Sequence, residues 1–132
     1  MVMVDGKGVP VSAFVTSAQV AEVNTIETLV DVRQCDGPVK RLIYDRAADA
    51  DWLRDALQQR DIELVCPHRR GRKRRSRQDG RKLRRYRHRW IVERSISWLF
   101  NYRRLQIRHE HYSHLFEGFV TLACLLIVLN RF

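Results

Sequence analysis

Residues 39–67 have the sequence VKRLIYDRAADADWLRDALQQRDIELVCP, in which an amphipathic segment separates two short apolar runs. The runs at 39–44 and 62–66 are typical of buried strands. Residues 49–60 have the apolar spacing of a helix. The predicted apolar face of this helix consists of Trp52, Leu53, Ala56 and Leu57. The order strand, helix, strand predicts an α/β arrangement.

The flanking sequence extends this pattern in both directions. Residues 1–4 and 9–16 are β-type runs on either side of Asp5-Gly6-Lys7-Gly8, which predicts a hairpin. Residues 18–35, 83–105 and 115–130 are predicted helices. The first has an apolar repeat of Val20, Val23, Ile26, Leu29, Val30 and Val32, and the second has a stripe of Ile91, Trp98, Tyr102 and Leu105. The whole chain is therefore predicted to be an α/β domain with a mixed sheet and flanking helices.

Composition narrows the class of protein. The chain has 132 residues, of which 45% are hydrophobic, and this is enough to bury a modest core. Its longest apolar run, at 119–129, is shorter than the roughly 20 residues of a membrane span, so it is predicted to be a buried helix and no membrane partner is expected. The three cysteines are far apart and predict reduced thiols in the cytosol.

Positive charge is concentrated in one place. Residues 69–89, the basic segment, contain 13 Lys and Arg and one acidic residue, Asp79. The remaining residues carry 12 basic and 14 acidic side chains, so the formal net charge of +10 arises within this segment. Such a density indicates a polyanionic partner, and Arg suits phosphate geometry. A solvated linker and a ribosome-associated basic protein are the alternatives.

Two carboxylates stand out by position. Asp45 follows the predicted strand at 39–44, and functional groups of α/β sheets gather beyond strand ends. The alternative is that Asp45 caps a helix. Glu93 lies mid-helix among arginines that keep it ionised, and the alternative is an intrahelical pair with Arg89 or Arg94. The cluster of His109, His111 and His114 lacks the ligand spacing of a metal site. Trp52, Trp90 and Trp98 are predicted as core residues, with base stacking as the alternative.

Four motifs resemble one family in order along the chain. The stretch Leu42-Ile-Tyr-Asp45-Arg-Ala-Ala-Asp49 resembles the segment around the second catalytic aspartate of DDE transposases of bacterial insertion sequences. Tyr86-Arg-His-Arg89-Trp-Ile-Val-Glu93 resembles their third-acid signature, and residues 67–73 resemble their basic turn. Residues 4–11 resemble their early hairpin.

The resemblance implies a ribonuclease-H-like fold, here incomplete at the N-terminus, with residues 1–132 forming the C-terminal part of the catalytic domain. It implies that Asp45 and Glu93 are catalytic and bind Mg²⁺ or Mn²⁺, and that the chain cuts and joins double-stranded DNA at transposon ends and target. A homodimer in a synaptic complex, located at the bacterial nucleoid, is also implied. Residues 69–85 form the implied DNA-contacting loop. The implied DNA-binding residues are Arg69, Arg70, Arg72, Lys73, Arg74, Arg75, Arg77, Lys82, Arg84, Arg85, Tyr86 and Arg89.

The sequence also departs from the family pattern. The first triad aspartate of the family precedes the hairpin, and the chain begins at the hairpin. The usual Lys after the glutamate is Phe100, and Tyr44 and Ala48 replace a common Gly and Tyr. We therefore expect the chain alone to be inactive. We expect it to be the second of two overlapping frames, completed by an upstream-frame portion; the alternative is a catalytically inactive DNA-binding remnant or an inhibitor of transposition.

Overall fold

The computed structural model describes residues 1–131, and the chain divides into two compact units. The first unit comprises Met1–Ala21, Thr25–Cys35 and Trp90–Phe132. The second comprises Glu22–Asn24 and Asp36–Arg89.

The first unit opens with the predicted hairpin, which is confirmed. Strand β1 (Val2–Val4) pairs antiparallel with β2 (Pro10–Ala13). The Asp5 Oδ1 atom closes the turn by accepting hydrogen bonds from the backbone N–H of Lys7 at 2.8 Å and of Val9 at 2.9 Å. The Asp-Gly signal therefore predicted the turn, and the structure adds that the Asp5 carboxylate closes it.

Gly8 brings this hairpin against a helix. Its φ of +87° is a conformation that side-chain-bearing residues rarely adopt, and a Cβ atom there would lie 2.9 Å from Ser95 Oγ. The same Ser95 Oγ donates a hydrogen bond to the Gly8 carbonyl at 2.7 Å. The glycine thus permits a close approach between the hairpin and helix α4 (Trp90–Leu99).

The helix predicted at 18–35 is wrong in extent. A short 3₁₀ turn, Glu22–Thr25, precedes helix α1, which covers Ile26–Asp31. Ala21 is extended, and the side chains of Val20 and Val32 are exposed. Valine and threonine lose side-chain freedom in a helix, which disfavours a helix over the whole β-branched stretch. The helix forms only around Ile26, Leu29 and Val30, which become buried.

The single helix predicted at 83–105 is also wrong. The chain there forms helix α3 (Gly80–Leu83), a 3₁₀ helix (Arg84–Arg89), helix α4 and helix α5 (Arg103–Gln106). Repulsion between cations three and four residues apart disfavours a regular α-helix through 84–89. A second break occurs at Tyr102, which is extended before α5.

Helix α6 (Ser113–Leu129) confirms the last predicted helix but not its burial. Ala123 and Ile127 are buried in a core with Leu99 and Leu105. The opposite face exposes Leu115, Leu122, Leu125, Leu126 and Leu129. None of the helices within residues 1–131 is long and apolar enough to cross a membrane.

The second unit contains the strand–helix–strand stretch. Strand β3 (Arg41–Ile43) pairs in parallel with β4 (Glu63–Val65), and helix α2 (Asp51–Gln59) connects them. Leu53 and Leu57 of α2 are fully buried. The prediction that Trp52 belongs to this apolar face is wrong, because its side chain is 48% exposed. The described residues thus form a mixed α/β structure in which antiparallel and parallel strand pairs belong to two separate two-stranded sheets.

Candidate functional site

Asp45 lies directly after β3 and its neighbour Tyr44, in the second unit. Its Oδ1 atom accepts a hydrogen bond from the backbone N–H of Ala47 at 2.8 Å and thereby caps the 3₁₀ turn Arg46–Ala48. The capping role that the sequence left open is therefore present. The Oδ2 atom has no hydrogen-bond partner among the side chains and amides of residues 1–131. One oxygen of Asp45 fixes the carboxylate, and the other is available to a ligand.

Tyr44 supports the backbone beside Asp45. Its hydroxyl donates a hydrogen bond to Glu22 Oε2 at 3.0 Å, and its backbone N–H donates to the carbonyl of Val65 on the neighbouring strand. Burial of the phenol, together with the Glu22 carboxylate, raises the pKa of Tyr44 well above its ordinary value. Tyr44 therefore remains a neutral hydrogen-bond donor at physiological pH.

Glu93 lies in the first turn of α4, in the first unit, and is exposed. Its neighbour Arg94 contacts other groups: Arg94 Nη2 donates to the Lys7 carbonyl at 2.9 Å, and its guanidinium lies 4.7 Å from the Trp90 ring and 4.8 Å from the Trp98 ring. These contacts fix the backbone of α4 around Glu93 against the hairpin. Asp45 and Glu93 belong to different units.

The start of the basic segment is organised by a residue that sequence reasoning missed. The carboxylate of Asp49 is 2% exposed, and its Oδ2 atom accepts a hydrogen bond from the Arg69 backbone N–H at 2.9 Å. The same oxygen lies 3.1 Å from Arg72 Nη1 and 3.1 Å from His68 Nδ1. Asp49 Oδ1 lies 3.3 Å from Nη2 of the buried Arg54.

These contacts determine the charge state of Asp49. Burial by itself raises the pKa of the carboxyl, but the hydrogen bonds from Arg69, Arg72 and Arg54 outweigh burial and hold the pKa below its ordinary value. Asp49 is therefore ionised and serves as the counter-ion of the segment. Residues 39–67 contain five aspartates, and the sequence pattern did not distinguish this one.

The middle of the segment is attached through Gln78. Its Oε1 atom accepts hydrogen bonds from the Cys66 backbone N–H at 3.1 Å and from Arg54 Nη1 at 3.3 Å. Arg54 also donates to the Leu64 carbonyl at 3.1 Å. Burial raises the pKa of the Cys66 thiol to about 11, so this cysteine is a neutral packing residue. Arg54 thus connects β4 with Asp49 and Gln78, the two residues that attach the basic segment.

The structure divides the predicted DNA-binding residues into two groups. Arg72 and Arg74 bind Asp51, Arg77 binds Asp55 at 2.7 Å, and Lys82 binds Glu63 at 2.6 Å. Arg89 Nη1 donates to the Tyr86 hydroxyl at 3.0 Å. A second group has no acidic partner within the described part of the chain. Its members are Arg69, Arg70, Lys73, Arg75, Arg84 and Arg85.

Comparison with known proteins identifies the family. The family described as "Transposase DDE domain" matches residues 1–128. The chain belongs to this family. A candidate transposase for insertion sequence element IS402 of Burkholderia cepacia is 36% identical over 137 residues, which cover 98% of the chain and 61% of that relative. The chain thus spans less than two thirds of the relative's length. None of the solved structures compared with it matches.

Membership of the DDE transposase family supports a function in DNA transposition. The family depends in general on divalent metal, and carboxylate oxygens are the ligands that Mg²⁺ prefers. Across residues 1–131, no three or more His, Cys, Asp or Glu side chains form a group that could hold a metal ion. In the histidine-rich stretch, Glu110 binds Arg104 at 3.1 Å.

Proposed function

We propose that the chain carries the part of a DDE transposase that cuts and joins DNA at the terminal inverted repeats of an insertion sequence. The observation that carries this proposal is the basic segment itself. Six of the cations predicted to contact DNA have no acidic partner within residues 1–131, while Asp49 and Gln78 attach the backbone of the segment to the unit that contains Asp45. Unneutralised cations on an attached backbone are suited to binding a phosphate backbone.

Asp45 and Glu93 are our candidates for two carboxylate ligands of Mg²⁺ or Mn²⁺ in a ribonuclease-H-like fold. Their oxygen donors have the chemistry that these hard cations require. When bound, such ions activate the attacking water or 3′-hydroxyl and stabilise the leaving oxygen. Asp45 would offer Oδ2, since Oδ1 is used by the Ala47 amide. Glu93 would present its carboxylate from a helix that Arg94 and Ser95 fix to the hairpin.

The second candidate function is a DNA-binding remnant or inhibitor that occupies transposon ends without cutting them. It is favoured by the absence, over the described residues, of any grouping of three metal-ligating side chains. Both candidates use the same basic segment. The two candidate functions differ in one expected result. If the chain is combined with the part of the Burkholderia cepacia relative that it does not match, the first predicts strand cleavage and the second does not.

DNA binding by the basic segment should depend steeply on salt. If the six predicted DNA-binding cations that lack an acidic partner each neutralise one phosphate, the logarithm of the association constant should fall against the logarithm of the salt concentration with a slope of about −5. Replacing Arg84 and Arg85 together by alanine should make the slope shallower by about 2. Fluorescence anisotropy with a labelled blunt duplex measures both values.

Arg103→Ala provides the matched control, because Arg103 is exposed on α5 outside the basic segment. We expect its slope to equal that of the unmodified chain. A flat salt response of the unmodified chain would contradict DNA binding by this segment. If Arg103→Ala made the slope of the salt dependence shallower by the same amount, net charge alone would determine DNA binding.

We also propose that the chain forms a homodimer through helix α6. Leu115, Leu122 and Leu129 are exposed at intervals of seven residues, and Gly118 and Leu125 lie between them on the same face. This alternation of three and four residues is the seam of a two-stranded coiled coil. Since none of these five residues is charged, a second copy with the same uncharged seam is the occupant that we propose.

Leu122→Glu should raise the dimer dissociation constant by at least about tenfold, because it would bury a charge in the seam. Leu122→Met should leave the dimer unchanged. Light scattering after size-exclusion chromatography, over a range of concentrations, measures the mass. A monomeric unmodified chain, or a Leu122→Glu variant that dimerises normally, would refute the proposed seam.

A further inference from the structure

An open cavity of about 650 Å³ lies between the first turn of α2 and the start of the basic segment, within the second unit. Its lining includes Trp52 together with Arg69, Arg70 and Arg74. The volume falls in the range of about 300–1,000 Å³ that is usual for small-molecule sites. The cavity is therefore large enough to receive a single nucleotide.

Trp52 is the aromatic group of this cavity. Although it lies in an amphipathic helix whose Leu53 and Leu57 are fully buried, 48% of its own surface is exposed. A half-exposed indole costs hydrophobic free energy, and it offers a flat surface to a ligand. Base stacking on such rings tolerates any sequence, because every base has a π-face.

The charges of the cavity indicate an anionic group next to the ring. The acidic residues Asp49 and Asp51 are both paired, with Arg72 Nη1 3.1 Å from Asp49 and Arg72 Nη2 2.5 Å from Asp51. The guanidinium groups of Arg69 and Arg70 have no acidic partner among residues 1–131. Two unneutralised cations thus share a cavity with an exposed aromatic ring.

The backbone at this point leaves room for a ligand. Gly71 has a φ of +78°, and a Cβ atom built on it would meet nothing within 4 Å. The adjacent Arg69 amide is fixed by its 2.9 Å hydrogen bond to Asp49. At Gly71, therefore, the lining of the cavity carries no side chain.

We propose that this cavity binds one unpaired nucleotide of DNA, with its base stacked on Trp52 and its phosphate bound by Arg69 and Arg70. This inference rests on the proposed function, since it identifies which form of DNA the basic segment prefers. Duplex DNA keeps its bases stacked on one another, so a single-stranded overhang or a frayed end supplies the base.

The test compares three labelled probes with the full chain by fluorescence anisotropy. They are a blunt duplex, the same duplex with a single-stranded overhang, and the overhang strand alone. We expect the overhang to bind at least about fivefold more tightly than the blunt duplex, the lower range for one stacked base. Trp52→Ala should abolish this preference and weaken binding of the single strand, and Trp52→Phe should retain most of both.

Tyr112→Ala is the matched control, because the aromatic side chain of Tyr112 is 61% exposed and does not line the cavity. It should keep the full preference. Equal binding of the blunt and overhang duplexes by the unmodified chain, or a preference that survives Trp52→Ala, would overturn the inference.

The three probes separate this inference from the proposed function. Duplex binding without any overhang preference leaves the proposed function standing and overturns the inference. If no duplex binds, the proposed function fails. In that case, single-strand binding that depends on Trp52 still supports the cavity, and single-strand binding that is absent or independent of Trp52 refutes it.

Discussion

If Glu93 is a metal ligand, as we propose, Glu93→Gln should lower metal-dependent DNA cleavage by at least about a hundredfold, because losing a ligand costs more than losing a residue that merely supports one. Asp45→Asn should have an effect of the same order. The asparagine side chain can still accept the Ala47 amide, so this variant keeps the cap and removes the charge. The two substitutions thus test the role of each carboxylate in cleavage without removing the contacts that hold the fold.

The cleavage assay needs more than the chain itself. Because the chain spans 61% of the Burkholderia cepacia relative, we would combine it with the part of that protein which it does not match. Nicking of DNA that carries the inverted repeats, with Mg²⁺ present and absent, is the readout. The chain alone should bind DNA and not cut it.

Asp79→Asn and Glu110→Gln are the matched controls for this assay. Asp79 caps α3 through the Arg81 amide at 2.8 Å, as Asp45 caps its own turn, and Glu110 is bound to Arg104. Both controls should cleave normally. Cleavage that survives Glu93→Gln would remove Glu93 from the site, and binding without cleavage in every combination would favour the inhibitor.

Asp49→Asn should reduce the free energy of unfolding by about 3–5 kcal/mol, since it leaves the buried guanidinium of Arg54 without its counter-charge. The Arg69 amide should also exchange its hydrogen faster, because its acceptor is weakened. Denaturant unfolding and hydrogen exchange measure these effects. Asp55→Asn is the control: its carboxylate is 53% exposed in its contact with Arg77, and such a pair contributes about 0–1 kcal/mol.

The same variant predicts a pH dependence. The pKa of Asp49 is lower in the folded protein than in the unfolded chain. Its stabilising contribution is therefore complete above the unfolded value of about 4, and it is lost as the pH falls through the lower folded value. The difference in stability between the unmodified chain and Asp49→Asn should shrink between about pH 7 and about pH 3. A difference independent of pH would show that the charge of Asp49 is not what stabilises the fold.

Local signals in the sequence predicted a large part of the fold. The Asp-Gly turn, the two runs around α2 and the apolar positions of α6 each specify an element through neighbouring residues. The errors arose where more distant residues decide. Whether Trp52 is buried depends on what packs against α2, and the breaks in 83–105 depend on repulsion between cations that helical spacing alone ignores.

Some residues of the candidate site could be predicted from the sequence and others could not. Asp45 and Glu93 follow from motif resemblance, and the basic segment follows from charge counting. Asp49 and Gln78 could not be found in this way, because their importance comes from which amides and guanidinium groups reach them. A side chain that organises a loop by hydrogen bonds leaves no periodicity in the sequence.

The contacts of Asp49 and Arg54, which attach the basic segment, are buried, whereas the arginines that would meet DNA are exposed to solvent. Screening by dissolved ions weakens contacts between exposed charges far more than contacts between buried ones. High salt should therefore release nucleic acid from the arginines while the Asp49 and Arg54 contacts remain, so that the loop keeps its shape when empty. Salt elution from a DNA column should accordingly yield folded protein that rebinds at once after dilution, without a refolding step.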